Sequence, residues 1–301
     1  MQAMGVNNVR IMIPWAFVES WRDLYTWDTV DYIVNAADQR NMGIVGVPTA
    51  TPWWAAIPGM PAYASAPTSV QQYAEFAGLA AQRYAGKVSA YEIYNEPNSI
   101  GFWAPAPDAT AYTAVLKAAY TAIKAADPNA TVIGGVLISV YDFPPFTVNP
   151  VTYLQQMYAA GAAGYFDAMS FHPYHYTLPF SQGGPWGNLS AINQMALMHQ
   201  IMVDNGDGAK LIWSTEYGEP SSVAGEANQA AFMADYLNAW SQIPYAGPSF
   251  FYETHDYDSD SGQADSTLGI LRDDFTLKLA AYLIAQWTAT HPQLDTVTTL
   301  T

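Results

Sequence analysis

The sequence predicts an α/β fold, a (β/α)8 barrel of the TIM-barrel type in which the first strand is missing from the numbered chain. Three observations carry this. Short apolar runs alternate with longer helical patterns from end to end, which is the mark of β-α units around a parallel sheet. The spacing of these runs is roughly 40 residues, with no linker, internal repeat or low-complexity tract between them, so a single domain over 1–301 is expected. Only seven runs are present where a closed barrel of this kind needs eight strands.

The runs, in order, are Asn8 to Trp15, Gly43 to Thr49, Val88 to Asn95, Ala130 to Ser139, Phe166 to Phe171, Lys210 to Thr215 and Ser249 to Tyr252. Helix starts show residues able to accept the free N–H groups of a first turn: Asp28 before 29–41, Thr68 or Ser69 before 70–84, and Asp108 before 109–126. Gly43, Gly86 and the Asp127-Pro128 pair mark the stops. Later helices are expected over 150–160, 189–204, 226–242 and 275–290. In the helix 70–84, Tyr73, Phe76, Leu79, Ala80 and Tyr84 form one apolar stripe that should lie on the sheet. Met1 to Gly5 reads as the tail of a helix, and the expectation is that strand one belongs to a longer natural chain.

Composition narrows the function. Ten Lys plus Arg against 26 Asp plus Glu leave a net charge of -16, which disfavours nucleic acid and other polyanionic partners and favours neutral ligands. The longest apolar run, around 130–141, is broken by Gly134 and Gly135 and falls short of the roughly 18 residues a membrane helix needs. The absence of cysteine removes disulfides, thiol nucleophiles and thiolate metal sites. The acidic, Lys-poor composition suits an extracellular or cell-envelope protein, although Met1 to Gly5 carries no signal-peptide pattern. Ten Trp, 21 Tyr and 12 Phe make 14% of the chain aromatic, more than packing alone demands, so some rings are expected to face a ligand. The phosphate-binding glycine loops and the Gly-x-Ser-x-Gly serine elbow are absent.

Carboxylates stand at the ends of two strand patterns. In Tyr91-Glu92-Ile93-Tyr94-Asn95-Glu96-Pro97 the apolar run stops at Glu96 and Pro97 blocks further pairing. In Trp213-Ser214-Thr215-Glu216-Tyr217-Gly218 a buried strand again ends on a Glu. In a β/α barrel both would sit at the carboxyl-end face, where such folds place their active sites, and two facing carboxylates suit acid and nucleophile chemistry. A single strand-end Glu is more often a solvated or ion-paired residue; two together with Asn-Glu-Pro shift that balance.

On these residues the sequence resembles the clan A glycoside hydrolases, particularly the cellulase-like family 5 and the β-xylosidase-like family 39, over nearly its whole length. The resemblance implies that Glu96, at the end of the family's fourth strand, is the general acid/base, that Asn95 bonds the sugar 2-hydroxyl, and that Glu216 is the nucleophile. Phe171-His172-Pro173-Tyr174 resembles the sixth strand, whose Tyr174 orients the nucleophile, and His172 is placed with it in the substrate site. Arg10 resembles the arginine that supports the nucleophile. A buried Arg needs a carboxylate, and Glu92, on the same strand face as Glu96, is the candidate partner. The reaction implied is retaining hydrolysis of β-linked neutral glycans without a cofactor, for which a carboxyl separation of roughly 5 Å is expected, against about 9 Å for inversion.

Trp15, Trp53, Trp54, Trp103 and Trp186 are candidate sugar platforms, Trp53 and Trp103 being the better placed, and each has a core or loop-packing alternative. Glu253 and His255, in Phe250-Phe251-Tyr252-Glu253-Thr254-His255, are candidates to bind sugar hydroxyls, with a strand-end partner for another side chain as the alternative for Glu253; a Trp common in family 5 at this point is missing. The Tyr176, Gly183-Gly184-Pro185 and Trp186 segment makes a long loop expected to shape the cleft. The run Asp256 to Gly262 resembles a calcium loop in composition, but its Gly and final Glu are out of register, so an acidic loop without a dedicated metal is expected. No His spacing suggests a metal. Two competing readings remain: a carbohydrate-binding barrel without turnover, which would need no paired carboxylates, and a metal-assisted barrel hydrolase, which would need His and Asp clusters.

Overall fold

In a computed structural model of the chain, residues 1–183, 187 and 189–291 are described. Seven parallel strands form one curled sheet in sequence order: β1 (Asn8–Pro14), β2 (Gly43–Thr49), β3 (Ala90–Glu92), β4 (Thr131–Ile138), β5 (Ala168–His172), β6 (Ile212–Tyr217) and β7 (Ala246–Phe251). Helices α1 (Trp15–Val18), α2 (Asp28–Asp38), α3 (Val70–Arg83), α4 (Ala109–Ala126), α5 (Pro150–Ala159), α6 (Ala191–Asp204), α7 (Ser221–Trp240) and α8 (Leu279–Thr290) lie among them. Every sheet pairing is between neighbours in sequence and parallel, from Asn8 beside Gly43 to Tyr217 beside Phe251. Seven strands, not eight, are therefore found among the described residues, and no ladder is found there between β1 and β7.

The interior explains the strand composition. Val45, Ala90, Ile133, Ala168, Trp213 and Phe250, one residue from each of β2 to β7, form a separate inner cluster of the kind that fills a barrel. Arg10 is the corresponding contribution of β1, and it meets Glu92 of β3 instead of an apolar neighbour. The larger apolar cluster lies between the outer sheet face and the helices. Strands β2, β3, β5 and β6 are buried throughout, as parallel strands covered on both faces must be, whereas β1 and β7 are mostly half-buried. Between these two edges lies a cavity of about 820 Å³.

Local chemistry fixes the helix starts. The Asp108 carboxylate accepts from the N–H groups of Thr110 and Ala111, both at 2.9 Å, and the Ser69 hydroxyl accepts from Gln72 at 3.3 Å. Asp28 departs from expectation: it is the first residue of α2, with Trp27 before it as an uncapped boundary, so its charge acts on the helix dipole instead of capping. Leu79 also departs, being 38% exposed; Ala77, Ala80 and Ala81 take the contact, their small side chains bringing α3 close to its neighbours. Helix α7 starts five residues earlier than the pattern suggested, just after Pro220. Met1 to Gly5 forms a single 3-10 turn over Gln2–Met4.

Two irregularities interrupt the ladders. The β4 register shifts between Gly134 and Leu137, where Gly135 and Val136 have φ of 82° and 51°; a Cβ on Gly135 would lie 2.2 Å from the Met169 sulfur. The β6–β7 register shifts between Ser214 and Tyr217, the stretch that carries Glu216.

Candidate active site

Strand β3 is short because its backbone leaves the sheet early. Tyr94 and Glu96 adopt φ of 71° and 42°, sparsely populated for residues with side chains, and the surrounding structure holds them there: the Tyr94 N–H donates to the Tyr73 hydroxyl at 3.1 Å and the Glu96 carbonyl accepts from the Ser99 N–H at 3.0 Å. The turn delivers the Glu96 carboxyl to the rim beside β5 and β6. One carboxyl oxygen of Glu96, one of Glu216 and a ring nitrogen of His172 lie within 4.8 Å of one another.

Each carboxyl has its own surroundings. Glu216 accepts from the Arg10 guanidinium at 2.6 Å and from the Tyr174 hydroxyl at 3.0 Å. Burial would raise its pKa, but the charges of His172 and Arg10 and the two hydrogen bonds outweigh this and hold it below the ordinary value. Glu96 pairs with His172 Nδ1 at 2.8 Å. There burial prevails over the His172 interaction, and with the negative charge of Glu216 nearby it pushes the Glu96 carboxyl above its ordinary value. The two carboxyls are thus displaced in opposite directions within one cluster.

Arg10 is the hub beneath them. Besides Glu216 it donates to Glu92 at 2.5 Å and to the Asn95 side-chain oxygen at 2.8 Å. Burial opposes its charge, yet Glu92 and Glu216 more than offset this and raise its pKa. Through these three bonds Arg10 ties Glu216, Glu92 and Asn95 together. Asn95 is buried beside it.

Three expectations are corrected here. His172 is fully buried, with Nδ1 on Glu96 and Nε2 2.9 Å from the Thr215 hydroxyl, so it supports the carboxyl instead of lining the substrate site. Trp103 is 2% exposed and packs edge-on against Tyr94 and Tyr112 at 5.0 and 5.7 Å, which makes it core. Trp15 is likewise core, its indole N–H donating to Glu19 at 2.7 Å. Trp53 is 58% exposed, set edge-on to Trp21 at 4.9 Å, with its N–H on the Ser20 carbonyl; Trp54 is half-buried against Trp15. Trp186, Gly184 and Pro185 lie outside the described residues.

A cleft of about 630 Å³ contains Glu96, Glu216 and Tyr174 and is walled by Phe102, Ile138, Tyr176, Tyr252, Tyr257 and Leu268. Of these walls only Tyr176 was indicated by the sequence; Ile138 ends β4, and the others come from segments beyond the strand ends whose approach depends on tertiary folding. The larger cavity between β1 and β7 meets this site from the side, at Arg10, Glu216 and Tyr252, and holds Glu253 and His255. Glu253 therefore sits beside the strand edge and not in the cleft proper. Its Oε1 has no hydrogen-bond partner, and burial lifts its pKa to about 7. Another acid the sequence did not single out, Glu219, is buried with Oε1 likewise unpartnered, and burial raises it to about 8.

The acidic run after β7 is an anchor. Buried Asp256 takes the Lys278 ammonium at 2.7 Å, the Gly269 N–H and the Ser259 hydroxyl, so the first position of the calcium-like pattern is already filled by a cation of the protein. The Glu96, Glu216 and His172 cluster is the one group among the described residues with atoms close enough to hold a metal. Arg10 and Tyr174 already occupy the Glu216 oxygens and Thr215 the far His172 nitrogen, a pattern that suits proton handling better than coordination.

A parallel β/α barrel carrying a pair of opposed glutamates at the carboxyl ends of its strands defines the class of clan A glycoside hydrolase-like barrels. Within it, the family model described as cellulase, glycosyl hydrolase family 5, matches residues 1–290, and the chain belongs to that family. Among solved structures it is similar to a family 39 glycoside hydrolase from the gut symbiont Bacteroides cellulosilyticus WH2, with 20% identity and a TM-score of 0.76 over 95% of this chain and 58% of that one. It is similar also to GH5_18 from Streptomyces cattleya in complex with GlcNAc, with 16% identity and a TM-score of 0.71 over 98% and 74%. A third is a monomeric beta-xylosidase from Caulobacter crescentus CB15, with 17% identity and a TM-score of 0.71 over 96% and 62%. The chain thus spans about three fifths to three quarters of the length of these structures. No curated protein matches it in sequence.

Proposed function

We propose that the protein is a retaining glycoside hydrolase acting on β-linked neutral glycans by double displacement, with Glu216 as nucleophile and Glu96 as general acid/base. The single observation that carries this is the close pair of carboxyls pushed in opposite directions. A nucleophile must be ionised and an acid must hold a proton, and the surroundings of Glu216 and Glu96 favour those two states. The approach of a carboxyl oxygen of each to within 4.8 Å supports the short separation of a retaining pair over the roughly 9 Å of an inverting one.

In the first step a Glu216 oxygen bonds to the anomeric carbon while the bond to the leaving oxygen breaks and that oxygen takes the Glu96 proton. Esterification removes the negative charge of Glu216, so Glu96 ionises more readily and can accept a proton from water, which then attacks the same carbon and restores Glu216. Tyr174 and Arg10 hold the attacking carboxylate, and His172 holds the acid. Asn95 has given its side-chain oxygen to Arg10, which leaves its NH₂ to donate to a sugar hydroxyl. No cofactor takes part. A polymeric substrate of this kind is met outside the cell, which is where we place the protein.

The test is release of reducing sugar from β-gluco-, β-xylo- and β-manno-configured oligosaccharides and aryl glycosides, comparing wild type with Glu216→Gln. Turnover by wild type alone supports the proposal and names the sugar. If both are folded and silent while wild type binds a glycan, the carbohydrate-binding reading replaces it.

A further inference from the structure

His172 holds Glu96 through Nδ1, and what holds its other nitrogen lies deeper in the barrel. Ser170 and His172 are two apart on β5, so they share its inner face, and Thr215 meets them from β6. Thr215 Oγ1 is 2.9 Å from His172 Nε2 and 2.5 Å from Ser170 Oγ. All three side chains are buried. Towards the start of the same two strands lie Ala168 and Trp213, members of the apolar inner cluster. Val and Ala would fill the places of Thr215 and Ser170 in such an interior without the demand for a partner that every buried hydroxyl makes. The two hydroxyls are kept there by their bond to the ring.

A hydroxyl can both donate and accept, and Glu96 needs this of its support. The acid must aim its proton at the leaving oxygen in the first step and be ionised in the second. In both states the Glu96 oxygen that faces His172 has to accept from Nδ1–H, because a bare Nδ1 would draw the proton away from the substrate. The ring keeps Nδ1–H throughout only if Nε2 is served with or without a proton of its own. Thr215 does both. It accepts from Nε2–H when the ring is a cation and passes its own proton to Ser170; it donates to a bare Nε2 when the ring is neutral and accepts from Ser170. Burial and the Arg10 charge oppose a cationic ring, and Glu216 and Glu96 outweigh them and raise its pKa. Around the ring stand Glu96 after β3, Glu216 on β6, Arg10 on β1 and Tyr174 after β5.

We propose that Thr215, backed by Ser170, is a positioning residue for the proton transfers of Glu96: its hydroxyl keeps Nδ1–H of His172 on Glu96 while Glu96 changes from acid to base. The inference rests on the glycosidase reading of the Glu96 and Glu216 site. Without that hydroxyl an Nε2–H would be buried with no acceptor, so the ring gives up its charge more readily. Glu96, deprived of a cationic neighbour, then holds its proton to higher pH and is the poorer base for the second step.

The experiment compares wild type with Thr215→Val, which removes the hydroxyl at nearly constant volume, Thr215→Ser, which keeps it, and Ser170→Ala, which removes only the second one. The first readout is nitrogen-15 NMR of the His172 ring across pH, on protein labelled in its five histidines, with the signal assigned by its loss in His172→Gln. It needs no turnover. The ring should titrate about one pH unit or more lower in Thr215→Val, partway in Ser170→Ala and as in wild type in Thr215→Ser. The second readout is hydrolysis of dinitrophenyl β-glycosides, whose departure needs no acid, so that attack by water limits the rate. Below neutral pH, Thr215→Val should lower kcat and KM together by about fivefold or more and leave kcat/KM unchanged, with Thr215→Ser restoring both. A ring titration equal in all four proteins overturns the proposal whatever their turnover. Equal loss of kcat and kcat/KM, not restored by Thr215→Ser, also overturns it and assigns the hydroxyls to packing. A shifted ring in a protein whose wild type hydrolyses no glycoside upholds the hold of Thr215 on His172 and overturns the glycosidase reading beneath it.

Discussion

Arg10 shows how one side chain can serve fold and chemistry together. It stands in the barrel interior, where an apolar residue would pack more cheaply, and its charge is tolerated because Glu92 and Glu216 neutralise it. Replacing Glu92 with Leu leaves that guanidinium short of a partner, and a loss of about 3–5 kcal/mol of stability in urea unfolding is expected. Glu216 and Glu96 make a second prediction, about pH. Glu216 is held below the ordinary carboxylate value, so its ionised form persists into acid; Glu96 is raised, so its proton persists above that value. The expected kcat/KM profile is bell-shaped, falling below the depressed Glu216 value as the nucleophile is protonated and above the raised Glu96 value as the acid loses its proton. A profile with a single acidic limb and no fall towards alkali would count against Glu96 as the acid. The two glutamates were legible in the sequence because each ends an apolar run beside Pro97 or Gly218. His172 was legible as a site residue but not in its place, since only the packed structure shows both of its nitrogens engaged.

Among the elements, regular pieces followed local chemistry closely. Helix α4 spans the residues that Asp108 and the Asp127-Pro128 pair bracket, and Asp108→Ala should cost about 1 kcal/mol in the same unfolding measurement. The irregular pieces carry the function and were less legible. Strand β3 pairs over only Ala90–Glu92, although the apolar pattern runs to Asn95, because Tyr94 and Glu96 turn into a backbone region that residue type does not announce. The exit of β6 is similar. Gly218 lies against the end of β7, where a Cβ would meet the Tyr252 carbonyl oxygen at 2.1 Å. Gly218→Ala should push apart the Glu216 and Tyr252 sides of the cleft, lowering kcat by tenfold or more while costing about 1–3 kcal/mol in stability, which thermal unfolding and kinetics on one preparation can check. Depth separates the Trp candidates: Trp103 and Trp15 are core while Trp53 is exposed, a difference that local sequence does not announce.

For the whole molecule, the seven-stranded curl places Glu216 on β6, next to the edge strand β7, Glu96 just after β3, and Arg10, which holds Glu216, on the other edge strand β1. The glutamate pair therefore bears on both sheet edges, and the 820 Å³ cavity between β1 and β7 reaches it at Arg10 and Glu216. The strand count and the single-sheet order were readable from the alternation of runs and helices; the cavity was not, because it depends on how far the edges stand apart. The net charge of -16 acts at this scale too. Hydrolysis of a carboxylated β-glucan should be slower than that of its neutral parent at low ionic strength, and the gap should narrow as added salt screens the field. The most direct test of the central claim is the anomeric configuration of the sugar first released by wild-type protein, followed by proton NMR before mutarotation. The geometry of Glu96 and Glu216 predicts that the product appears first as the β-anomer, with the configuration of the bond that was cut. First appearance of the α-anomer would contradict direct attack by Glu216 and the account built on it.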